Sequence, residues 1–160
     1  MRLLIIFSKA ISFILLIFIL GVPSFAEQEQ HEISKSNHVK KYYVSDIKQA
    51  MMDYLADEVD ENGVYTIFDD KTGETLSLKF VKIHDPVRVI NSNTYFACTD
   101  FHLVGNPDML YDLDFWMSPK NEVLKIYRAK IHKEPRKSLI YGWYKQPRYT
   151  FVDDKVVELY

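Results

Sequence analysis

The sequence predicts an α+β domain, with one N-terminal amphipathic helix packed on an antiparallel sheet of about six strands, and three observations carry that reading. Apolar residues recur at helical spacing over residues 45–58. From Val64 onward the period changes to two, in strand-sized runs rich in β-branched and aromatic residues. Clusters of Gly, Pro, Asn and Asp separate those runs at short intervals, so successive strands connect as neighbours.

Ahead of the domain, residues 1–26 read as a cleavable secretory signal peptide. Arg2 and Lys9 precede the apolar run of residues 10–20, Gly21 and Pro23 break it, and the small Ser24 and Ala26 sit three and one residues before the cut. The mature product then begins at Glu27. Counted from Leu3, the apolar stretch is also long enough for an uncleaved anchor, and that alternative stays open. Residues 27–41 are polar and aperiodic, a flexible leader, and residues 42–160 form a single domain. Removing residues 1–26 takes the formal charge from −2 to −4, which disfavours bulk nucleic-acid binding. Cys98 is the single cysteine, so a disulfide scaffold is excluded. Export without disulfides points to a bacterial envelope protein, periplasmic or extracellular.

Ser45 offers an oxygen to cap the helix, Asp46 adds negative charge in its first turn, and Ile47, Ala50, Met51, Tyr54, Leu55 and Val59 line one face. Asn62-Gly63 stops it. VYTIF, the cluster at residues 69–73 and TLSLKFVKI read as a hairpin with a longer loop, closed by Asp85-Pro86. VRVI leads through Asn91-Ser92-Asn93 to TYFACTDFHLV, which ends at Gly105-Asn106-Pro107-Asp108. LYDLDFWM meets a turn at Ser118-Pro119-Lys120-Asn121, and VLKIYRAKIH follows. The tail carries LIYGWY, RYTFV, a turn at Asp153-Asp154-Lys155, and VVELY.

This element order behind a signal peptide resembles the cystatin-like and NTF2-like group of folds. The phrases KTGETLSLKFVKIHD, YFACTDFH, YDLDFWM and IHKEPR are similar to those of small exported bacterial domains of unassigned function. Such folds serve inhibitors, enzymes and binding modules alike, so the resemblance implies a fold and carries no functional residue.

Alternation nominates one chemical patch. Over residues 94–104, Phe96, Cys98, Asp100 and His102 take one face, and Tyr95, Ala97, Thr99, Phe101 and Leu103 take the other, the core face. Asp112 and Asp114 alternate against Leu113, Phe115 and Met117, and a meander would bring them beside Asp100. Arg128, Lys130 and His132 share one parity of the next strand, and His84 ends an earlier one on the side of Lys82. Imidazole and carboxylate are ligands of zinc and first-row metals and also parts of an acid–base pair. Asp100, His102, Asp112 and Asp114 are therefore candidate catalytic residues, and His84, His102 and His132 candidate metal ligands. No HExxH or CxxC spacing is present, so no cofactor is predicted beyond an optional metal. The competing reading is the solvated face of a half-exposed sheet, where these charges form cross-strand pairs. Cys98 shares its face with His102, but same-face neighbours stand about 7 Å apart and these two about twice that. The thiol would need His84 or His132 from another strand; otherwise it is buried and inert.

Charge is unevenly placed. Residues 53–74 hold eight acids and one base, and residues 125–148 hold eight bases and one acid, interleaved with aromatic residues. The basic segment suits an anionic polymer, lipid head groups or carbohydrate; alternatively the two charged segments neutralise each other. Residues 133–146, bracketed by Pro135 and Gly142, form the expected functional loop. The reading is a non-catalytic envelope binding or interaction module that uses Arg136, Lys137, Trp143, Tyr144 and Arg148. Its partner is an envelope component, an anionic polymer or another exported protein, not nucleic acid, and the membrane is met only transiently through the signal peptide. The alternative is a metal-dependent or acid–base enzyme built on the His/Asp patch.

Overall fold

The computed structural model describes residues 40–91 and 93–159; the signal-peptide segment and nearly all of the leader lie outside them. Helix α1 spans Val44–Glu58 and turns Ile47, Met51 and Leu55 inward. Its start differs from expectation. Ser45 already lies inside the helix, and it is Asp46 that reaches back, accepting the Tyr43 N–H at 2.7 Å. At the other end Asp60 Oδ1 accepts the N–H groups of Asn62 and Val64, and Gly63 takes φ +70°, where a side chain would be strained. Among the described residues no helix is long and apolar enough to cross a membrane.

Among the described residues nine strands follow: β1 Val64–Asp69, β2 Glu74–Ile83, β3 Arg88–Asn91, β4 Thr94–Leu103, β5 Asn106–Lys120, β6 Val123–Ser138, β7 Gly142–Pro147, β8 Tyr149–Val152 and β9 Lys155–Glu158. All pairings are antiparallel. The main sheet runs β1-β2-β4-β5-β6-β7, β3 pairs with β4 beyond the end of β2, and β8-β9 is a separate hairpin. The domain is thus α+β, and the β1-β2 hairpin is the one the sequence marks.

Three turns sit elsewhere than expected. The first reversal comes before Pro107: Asn106 already pairs with Leu103, and residues 107–109 bulge out before Leu110 meets His102. Pro119 lies inside β5 because it pairs with Leu124 of β6 alone, past the last β4 partner at Met117, where a missing N–H costs no ladder bond. The turn is instead Asn121-Glu122, both at positive φ. The third correction concerns the loop of residues 133–146, which is a hairpin: β6 continues to Ser138 and β7 returns from Gly142, leaving only residues 139–141 at the tip.

One sheet face forms the main core. Tyr95, Ala97 and Phe101 of β4 and Leu113, Phe115 and Met117 of β5 pack with Leu78, Ile131 and the buried face of α1. The Tyr65, Phe101 and Phe115 rings meet at 5.4 to 6.2 Å. The sheet rolls towards this face. Asp69 of β1 and Glu134 of β6 are separated by three strands, about 19 Å if the sheet were flat. Yet Arg148 binds both, with Nη1 and Nη2 at 2.5 and 2.7 Å from the Asp69 carboxylate and Nε at 2.6 Å from Glu134.

The opposite face is also covered, which corrects the half-exposed reading. The β8-β9 hairpin lays Tyr149, Phe151 and Val156 over Phe96 and Trp116, with Phe96 at 5.2 Å from Trp116 and 5.3 Å from Phe151. On this face Asp100, Asp112 and Asp114 keep 4%, 0% and 0% of their exposure, Asp114 beneath Tyr149 and the other two beneath the side chains of Lys145, Lys133 and His84. Carboxylates so enclosed require partners.

Candidate functional site

Register brings the patch together. Cys98 lies opposite Asp114 and Asp100 opposite Asp112 across β4-β5. In β6, Asp112 pairs with Lys133 and Leu113 with Ile131, so His132 is the extra residue of a bulge. The bulge sends both His132 and Lys133 to the carboxylate side. A second bulge at Val81 sets Lys82 opposite Asp100, and the His84 N–H donates to the Cys98 carbonyl at 2.8 Å, which fixes His84 beside the same strand.

Two linked clusters result. In the first, Asp100 Oδ1 accepts from Lys145 Nζ at 2.7 Å and lies 2.8 Å from His84 Nε2. Lys145 also bonds Asp112 Oδ1, and Lys133 Nζ is 2.7 Å from Asp112 Oδ2. Burial by itself would raise the Asp100 pKa, but hydrogen bonding with Asp112, Lys145 and His84 outweighs it and brings the value down to about 2. Burial likewise works against the Lys145 charge, and its two carboxylate partners outweigh it, raising its pKa. An open depression lined by Lys82, His84, Asp85, Asp100 and Lys145 is where this cluster meets solvent.

In the second cluster, the buried Tyr149 hydroxyl donates to Asp114 Oδ2 at 2.6 Å. The His132 ring stacks on Tyr149 at 4.6 Å, and its Nδ1 lies 3.3 Å from Asp114 Oδ2. Burial, and then the neighbouring Asp114 carboxylate, push the Cys98 thiol pKa up, so the sulfur is protonated and a poor nucleophile. Burial and Asp114 raise the Tyr149 phenol in the same way. Among the described residues two sets of three side chains lie close enough to hold a metal ion: His84, Cys98 and Asp112, and Cys98, Asp114 and His132, with ligand atoms within 4.8 Å of one another.

Of the sequence-nominated residues, Asp100, Asp112 and Asp114 converge, and His84 and His132 join them from β2 and β6. His102 joins neither set; its Nδ1 lies 3.1 Å from the Leu103 carbonyl. Lys133, Lys145 and Tyr149 are members that parity did not reveal: Lys133 changes side at the bulge, and the other two arrive from strands whose placement no local pattern encodes.

The five nominated binding residues separate. Lys137 is exposed, with Nζ 5.7 Å from the Trp143 ring, and Tyr144 is exposed nearby. Arg136 is exposed and paired with Glu134. Arg148 is buried as the link between Asp69 and Glu134 and offers nothing to solvent. The basic segment is largely neutralised from within, Lys130 by Glu158, Lys133 and Lys145 by Asp112, and Arg148 by Asp69. Of these acids Asp69 lies in the acidic segment of residues 53–74, so the two charged segments meet in part, and the others come from β5 and β9.

What stands out instead is the β6-β7 tip. Leu139, Ile140 and Tyr141 are exposed to 107%, 82% and 81%. Ser138 Oγ accepts the N–H groups of Ile140 and Tyr141 at 3.1 and 3.3 Å, and Gly142 at φ +69° completes the turn. The signal in the sequence is three large apolar residues between Ser138 and Gly142, where turn chemistry ordinarily places polar ones. No protein-family model, curated protein or solved structure matches the chain.

Proposed function

We propose that this is an exported, non-catalytic binding domain whose β6-β7 hairpin docks into the lipid interface of an envelope membrane. The observation that carries the reading is the fully exposed Leu139-Ile140-Tyr141 tip. A convex apolar apex with aromatic residues and a lysine behind it, here Trp143, Tyr144 and Lys137, has the composition that partitions at a membrane–water interface. The partner thereby shifts from anionic polymer towards lipid, since most of the bases are already paired. Burying Leu139 and Ile140 is worth roughly 1.5–3 kcal/mol each. The attachment is therefore reversible, on the order of millimolar for one tip.

Against the enzyme reading, Cys98 is held protonated and the patch carboxylates are held by cations or by Tyr149. The test is co-sedimentation of the chain beginning at Glu27 with phosphatidylglycerol vesicles. Leu139→Asp with Ile140→Asp abolishes retention, and Trp143→Ala weakens it. Retention unchanged in the double variant would remove the tip from the account.

A further inference from the structure

The buried cluster beneath the β8-β9 hairpin has a feature that packing does not account for. Asp114 is fully enclosed and Tyr149 bonds its Oδ2; Oδ1 has no hydrogen-bond partner among the described residues, and the buried Nδ1 of His132 makes no hydrogen bond, standing 3.3 Å from that same Oδ2. Natural interiors rarely leave a buried carboxylate oxygen and a neighbouring imidazole nitrogen without hydrogen bonds, because neither is repaid for the water it gave up. A cation between them would satisfy both.

We propose that Cys98, Asp114 and His132 form a binding site for one borderline-soft divalent transition-metal ion of the zinc class. Thiolate, imidazole and carboxylate are the three ligand types zinc accepts together. His132 Nδ1 already stands 3.3 Å from the Asp114 carboxylate, at the oxygen that Tyr149 holds, which places the imidazole beside the free Oδ1. The ligand atoms of all three residues lie within 4.8 Å of one another. On binding, the Cys98 S–H bond breaks, the sulfur bonds the metal and the proton leaves to solvent; thiolate and carboxylate then balance the two positive charges.

Three protein ligands leave a fourth position for water. Tyr149 positions the site by holding Asp114 through Oδ2. The other set, His84, Cys98 and Asp112, is set aside on electrostatic grounds: Asp112 already binds Lys133 and Lys145, and His84 faces Asp100, so two ammonium groups would oppose a cation there.

The experiment is titration of the purified, chelator-treated chain with Co²⁺ and Zn²⁺, read by absorption and by competition with a chromophoric chelator. The expected result is one equivalent of Co²⁺ with a thiolate-to-cobalt charge-transfer band and tetrahedral d–d bands, displaced by Zn²⁺. Cys98→Ala removes the charge-transfer band, and His132→Gln, a change at a partly exposed position, weakens Zn²⁺ by at least about 100-fold. Tyr149→Phe weakens it about 10–100-fold as an orienting partner, and His84→Gln leaves it unchanged. Far-ultraviolet circular dichroism of each variant confirms the fold. Absence of stoichiometric binding to the folded wild-type chain, affinity unmoved by His132→Gln, or loss in His84→Gln instead would overturn the assignment.

Discussion

Replacing Arg148 with alanine separates a structural link from a binding residue. Its guanidinium bonds both Asp69 and Glu134 and so ties one edge region of the rolled sheet to the other, where Lys71 reaches the same two residues through its backbone N–H and its half-exposed ammonium. Without it Glu134 retains Lys71 and Arg136, whereas buried Asp69 retains no guanidinium and is left with the Lys71 backbone N–H at 3.0 Å and the Thr72 side chain. Breaking a buried ion pair from one side costs about 3–5 kcal/mol. With an unfolding entropy of about 2.1 cal/mol/K per residue over about 120 ordered residues, that is a fall in Tm of about 12–20 °C. A solvent-facing binding residue would shift it by about 2 °C or less.

The pH dependence adds a second signature. Burial pushes the Asp69 and Glu134 pKa values upward, but the bonds and charges of Arg148 and its neighbours outweigh it and lower both. Depressed carboxylates stabilise the fold above their unfolded values near 4, and that stabilisation is lost as pH falls through the folded values. In Arg148→Ala the stranded Asp69 favours protonation, so the gap between variant and wild type narrows on acidification. Arg148→Lys, which keeps the charge without the fork, falls between, and Asp69→Asn added to Arg148→Ala recovers part of the loss. Differential scanning calorimetry from pH 7 to about pH 2 covers both windows. A well-folded Arg148→Ala chain with Tm within 3 °C of wild type would refute the linkage.

Other outcomes follow from the same geometry. Lys145→Met leaves Asp100 and Asp112 facing each other across β4-β5; stability of the wild type declines as pH falls from about 4 towards the Asp100 value of about 2, whereas the variant gains stability between pH 7 and about 5, seen in urea midpoints. Phe115→Ala, at a fully buried position under α1, costs about 3–5 kcal/mol with an unchanged m-value; less than 1.5 would place the core elsewhere. Expression of the full chain in a bacterial host yields a product whose N-terminal sequencing starts at Glu27, and a retained Met1 would establish the anchor alternative.

Local patterns carried the helix, the β1-β2 hairpin and the core face of β4 into the sequence reading, because each rests on a periodicity within one segment. The second face was misread for a physical reason. Alternating Asp, His and Lys look like solvated charge, and only Phe96 and Trp116 on that same face hinted that an apolar element would lie over it. Hairpin docking is a long-range event that no local pattern encodes. The bulges at Val81 and His132 are equally silent, since one extra residue reverses parity without changing composition. Arg148 looked like one charge in a basic run because its partner Asp69 is 79 positions away. The tip was legible in letters but not in meaning, since LIY reads as the start of a strand until the β6-β7 register places it at a turn.

The most direct measurement of the hairpin's role uses the protein's own tryptophans. Trp116 is buried at 5% exposure under β8-β9, and Trp143 stands beside Lys137 near the tip. In a Trp116→Phe chain, Trp143 is the sole indole. Titrated with phosphatidylglycerol vesicles, its emission should shift to shorter wavelength and be quenched by lipids brominated near the headgroup end of the acyl chain. An emission maximum and intensity unmoved by saturating vesicles would contradict interfacial docking of this hairpin.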